Sequence, residues 1–112
     1  MAKFTIKKVT TGKKVGEIQK LEAQRPTIDF PLQSEKITHP HYTIRVGAPA
    51  EARRVEIAIN QGAWQVCRLA VGYWWFDWAD IIPGEHEFIV RAQEKGGDWL
   101  VSETRQCFAV LP

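Results

Sequence analysis

Hydrophobic and polar positions alternate most clearly between Arg53 and Ala92. Val55, Ile57 and Ile59 take one face of an extended segment and Glu56, Ala58 and Asn60 the other, the period-two signature of a half-buried strand. Asn60-Gln61-Gly62 supplies turn chemistry, because Asn and Gly tolerate positive φ. Trp64, Val66 and Arg68 continue on a return strand, with Trp64 placed in the core. Gly72 separates that run from Tyr73–Trp78, where both faces are aromatic. Asp77 shares a face with Tyr73 and Trp75, and an unpartnered carboxylate is not buried. That assigns Trp74, Phe76 and Trp78 inward and Tyr73 and Trp75 outward. Pro83-Gly84 marks the next turn, after which His86, Phe88, Val90 and Ala92 alternate with Glu87, Ile89 and Arg91 in a further strand.

The flanking sequence completes a sheet protein. Thr27–Leu32 reads as a short edge strand, where Pro31 is tolerated, and Gln33–Lys36 as a polar turn. Tyr42, Ile44 and Val46 point inward, 47–52 is a loop of small residues, and Glu94–Asp98 is a hairpin turn. Trp99–Val110 closes the sheet, with Ser102, Thr104 and Gln106 at its exposed positions. Seven strands at this turn spacing predict an all-β, seven-stranded antiparallel immunoglobulin-like sandwich over residues 26–112. Residues 1–25 form a basic N-terminal arm. Phe4 and Ile6 alternate as in a hairpin turned at Thr10-Thr11-Gly12, whereas Val15, Ile18 and Leu21 fit one stripe of a helix. Its apolar content is thin on either reading, so a flexible or loosely docked arm is expected.

The strings VEIAINQGAW and PGEHEFIVRA, with Trp-Phe-Trp at alternate positions between them, resemble the immunoglobulin-like, fibronectin type III-like β-sandwich modules of bacterial proteins. More narrowly, the stretch from Tyr42 to Val110 is similar to the C-terminal dimerisation domain of sulfite oxidase-type molybdenum enzymes. The chain departs from that pattern with Asn60-Gln61-Gly62 in place of an Asp-Gly-Gly turn, and it carries no molybdenum-cofactor domain. The resemblance implies a sandwich fold and a packing, dimerisation or sugar-binding role, since such domains serve different ends in different hosts.

Composition adds bounds. The chain has 112 residues and a formal net charge of +2, enough for one core and not for two. Its apolar runs stop well short of a membrane-spanning helix. The N-terminus lacks the apolar run of a secretory signal, which points to the cytoplasm if the chain is complete. Six lysines and Arg25 crowd the first 25 residues against Glu17 and Glu22. The aromatic interleaving of single-stranded nucleic-acid binders is missing there, so a solvated arm is expected rather than a nucleic-acid partner. Cys67 and Cys107 fall on strands of one sheet with two others between them, roughly 14 Å apart at the usual strand spacing. A disulfide needs less than about 7 Å, so both are read as free thiols, in keeping with a reducing compartment.

Candidate chemistry is sparse. His39 and His41 flank Pro40 at a spacing that can hold a metal, but no acid or cysteine joins them and structural zinc takes four ligands. His86 is expected buried and hydrogen-bonded. Ser or Cys beside an oriented histidine, paired carboxylates and phosphate-cradling glycines are not found. The expectation is a protein that is not an enzyme and has no cofactor and no metal. Five tryptophans are many for one sandwich core, which makes Tyr73, Trp75, Arg91 and Trp99 the candidate contact residues. Such residues anchor protein interfaces, and planar rings also stack on sugars. A protein partner or a homodimer is the first expectation; a glycan on the exposed aromatics is the alternative.

Overall fold

The computed structural model describes residues 25–112; the predicted arm, except Arg25, lies outside the described residues. Among these there is no helix. Ten strands follow one another: β1 (Thr27–Phe30), β2 (Glu35–Ile37), β3 (Tyr42–Gly47), β4 (Arg54–Ile59), β5 (Gln65–Val66), β6 (Arg68–Ala70), β7 (Tyr73–Trp78), β8 (Gly84–Gln93), β9 (Trp99–Val101) and β10 (Arg105–Ala109). They form two sheets, ordered β1-β3-β7-β6 and β2-β10-β8-β4-β5, with β9 also paired to β8. The first order is the A-B-E-D sheet of an immunoglobulin fold, and β10-β8-β4 is its G-F-C sheet.

Each of the three extra strands has a local cause. The predicted return strand breaks at Cys67, where the edge crosses from one sheet to the other: β5 pairs with β4 and β6 with β7. The predicted closing strand breaks at 102–104. There the Ser102 hydroxyl, not a backbone carbonyl, accepts the Val90 N–H at 3.0 Å, so Ser102 is half-buried rather than exposed. Where a polar turn was expected, Glu35–Ile37 lies parallel to β10. The edge strand also ends sooner than predicted, because Pro31 is buried beyond its last residue, Phe30.

The inward alternation predicted for the central strands is present. Val55, Ile57, Phe88, Val90, Ile44 and Val46 are all at 0% exposure. Trp74 and Trp78 join them, and Tyr42 and Phe76 pack half-buried against the same cluster. Burying a side chain of this size contributes about 1.5–3 kcal/mol, so this interleaved row dominates the stability of the sandwich. His86 is buried under Trp78, with ring centroids 4.9 Å apart in an edge contact. Its Nε2 faces the Ile82 carbonyl at 2.7 Å and its Nδ1 faces the Asn60 amide nitrogen at 2.9 Å. A carbonyl only accepts, so Nε2 carries the proton and Nδ1 accepts from Asn60.

Candidate functional site

Both sheets carry an arginine stacked on aromatic rings on their outer faces, and the two stacks lie on opposite sides of the molecule. The four predicted contact residues are therefore divided. Tyr73 and Trp75 lie outward on the β7 sheet, whereas Arg91 and Trp99 lie outward on the β8 sheet. A single patch containing all four does not exist.

On the β7 sheet, antiparallel pairing sets Arg45 opposite Phe30 on one side and Trp75 on the other. The Arg45 guanidinium lies 4.8 Å from the Phe30 ring centroid and 4.2 Å from that of Tyr73, within cation–π range. Asp29 holds its Nε at 3.1 Å. Trp75 meets Tyr73 edge-on at 6.1 Å and donates its indole N–H to the Ala70 carbonyl at 2.9 Å. Arg68 and Asp77 make an exposed ion pair at 3.3 Å beside it. This face is aromatic, partly exposed and held in place by its own polar contacts.

On the opposite face, Arg91 is sandwiched between Trp64 at 4.3 Å and Trp99 at 4.1 Å. Its Nε and Nη2 donate to Glu56 Oε1 at 2.9 and 2.6 Å, while Arg54 Nε reaches Oε2 at 2.7 Å. Glu56 is only 6% exposed. Burial pushes its carboxyl up, but the hydrogen bonds and charges of Arg54 and Arg91 outweigh that, and the group titrates below its ordinary value. β4 is consequently buried on both faces at Glu56 and Ala58, where a half-buried strand was expected.

Trp64 is the main correction to the sequence reading: it is not core but outward, at 36% exposure. The hairpin pairs Glu56 with Val66, so Val66 shares the outward face of Glu56. Cys67 takes the buried place instead. A one-residue change of register moves every side chain to the other face, and the strand pattern does not fix that register. Arg45 and Phe30 were also passed over. The only sequence signal for either stack was a pair of opposite or aromatic residues that become neighbours once strands are paired.

The remaining candidates do not converge. His39 and His41 are exposed, and among the described residues no three His, Cys, Asp or Glu side chains form a metal-holding group. Cys67 and Cys107 are buried and unpaired by any disulfide. The strand order puts β8 and β4 between their strands, the separation the sequence implied. Burial, with Glu56 nearby, pushes the Cys67 thiol up to about 12; burial, with Glu35 nearby, pushes Cys107 up to about 11. An open groove of about 190 Å³ separates the Pro49–Ala52 loop from Glu94–Gly96. A wider one of about 360 Å³ lies between Arg25–Ile28 and Ser102–Arg105.

No protein-family model matches the chain, and no curated protein matches it. Solved structures do. An engineered protein from a structural genomics programme superposes with a TM-score of 0.64 at 19% identity, over 79% of this chain and 20% of that one. The present chain thus spans about a fifth of that protein. The fibronectin(III)-like modules of Clostridium thermocellum CbhA superpose with a TM-score of 0.64 at 16% identity, over 75% of this chain and 93% of theirs. What these proteins share with the chain is the fold, an immunoglobulin-like, fibronectin(III)-like β-sandwich.

Proposed function

We propose that the chain is a non-enzymatic protein interaction or dimerisation module, accessory to a larger assembly, that uses the outer face of the β7 sheet. The observation that carries this reading is the Phe30–Arg45–Tyr73 stack with Trp75 beside it. Aromatic residues and arginine are enriched at protein interfaces. Here they are already held by Asp29 and by the Ala70 carbonyl, so little side-chain freedom is lost when a partner covers them. The sequence resemblance to a dimerisation domain of sulfite oxidase-type enzymes supports the same reading. On the opposite face each tryptophan of the second stack already has one ring face on Arg91, which leaves less flat surface for a sugar.

Sedimentation velocity over a hundredfold range of concentration tests the proposal. A reversible dimer is expected, and Trp75→Ala should weaken it. Strict monomers at every concentration, together with an indole fluorescence shift on adding soluble glycans, would transfer the assignment to carbohydrate binding.

A further inference from the structure

We propose that the partner is a second copy of this chain, joined through the free edge of β6 so that the two β7 sheets become one eight-stranded sheet. This rests on the interaction reading above and specifies its contact. β6 is the last strand of its sheet. At the other end of that sheet the edge is blunted: β1 carries a bulge between Ile28 and Phe30 and stops at Pro31. β6 has no proline and is lined by exposed apolar residues, with Val66 at 52%, Leu69 at 61% and Val71 at 90% exposure. An edge of this kind is a template for strand pairing.

The register identifies the occupant. Ala70 pairs with Tyr73 across a two-residue loop, which makes them the pair that exchanges hydrogen bonds. Alternation then turns the Leu69 N–H and C=O to the free edge. Two copies placed antiparallel about a dyad at Leu69 satisfy both groups in each copy with the same residue of the other. Leu69 lies opposite inward Trp74, so the two leucine side chains meet beneath the joined sheet. On the outer surface each Arg68 falls opposite the small Ala70 of the other copy, in line with that copy's Tyr73. Arg68 is held only by its exposed contact to Asp77, a weak tie, and is free to lie across Ala70.

The apolar surface covered is a few hundred Å² per copy, less than the roughly 800 Å² of a standard stable interface. A weak, reversible dimer follows, with dissociation in the micromolar range or above.

Three measurements on the full chain decide it. Sedimentation equilibrium of the wild type and of Leu69→Lys should show association weakened at least tenfold by the edge lysine. Leu69→Cys should form an intermolecular disulfide under a mild thiol oxidant, because opposed Cα atoms of a hydrogen-bonded pair sit about 5.5 Å apart; Phe108→Cys, on the other sheet, should not. The Leu69 amide should also gain hydrogen-exchange protection as concentration rises. A dimer unaffected by Leu69→Lys, with no Leu69→Cys cross-link, overturns the edge contact and leaves the interaction reading standing. A wild type monomeric at all concentrations overturns the edge contact and self-association together.

Discussion

Glu56 sits at a position that strand alternation marks as solvent-facing, yet it is 6% exposed beneath Trp64 and Arg91. A buried carboxylate persists only when its charge is matched, and Arg54 and Arg91 do so through three hydrogen bonds. Because its folded pKa lies below the ordinary 4.5, the ionised group stabilises the fold at pH values above the unfolded pKa. That contribution declines as pH drops below about 4.5 and is gone once pH passes the folded value. Glu56→Gln should therefore cost about 2 kcal/mol at neutral pH. The gap between variant and wild type should narrow on acidification, as urea midpoints at a series of pH values will show. A gap that stays constant down to pH 2 would remove Glu56 as the linked group.

At the scale of elements, the two outer-face stacks fasten short edges to long strands. Trp64 and Trp99 close on Arg91 from either side and bind the two-residue β5 and the three-residue β9 to the β4–β8 pair. The two hairpin turns differ in how well their residues suit them. Asn60 and Gln61 adopt φ of 54° and 61°, with the Gly62 N–H bonded to the Ile59 carbonyl at 2.9 Å. Asn at the first of these positions is the favoured residue, and it also braces His86 and the Glu87 amide. The β6–β7 turn instead places Val71 at φ 52° before Gly72 at 79°. A β-branched residue is strained there by about 1–2 kcal/mol, and at 90% exposure it gains no packing in return. Val71→Asn should stabilise the monomer by about 1 kcal/mol in urea unfolding at low protein concentration; a neutral or destabilising result would mean that the valine makes a contact in solution.

At the scale of the whole molecule, the two thiols report on the core. Cys67 plugs the point where the edge crosses between sheets, and Cys107 lies opposite His86 on β10. With thiol pKa values near 12 and 11, the thiolate fraction at pH 8 is on the order of one in ten thousand and one in a thousand. Burial blocks access as well. Both should react with an aromatic disulfide reagent at least a hundredfold slower in native buffer than in denaturant. Fast native labelling of either one would show that the sandwich opens locally at that flank.

The β-sandwich was legible in the sequence because its evidence is local. Val55-Ile57-Ile59, Tyr42-Ile44-Val46 and His86-Phe88-Val90-Ala92 each declare an inner face by period two, and Asn60-Gln61-Gly62 declares its turn. The inward Trp74 and Trp78, the outward Tyr73 and Trp75, and the separation of the two cysteines follow from those faces and the strand count. Tertiary structure alone decided what depends on pairing between distant strands. Trp64 went outward because the hairpin register set Val66 beside Glu56. Arg91 and Trp99 parted from Tyr73 and Trp75 because β7 and β8 belong to different sheets. The breaks at Cys67 and Ser102 arise where one strand meets two neighbours. Local alternation specifies which side of a strand is apolar; which residue lies across from it is set by the closing of the whole fold.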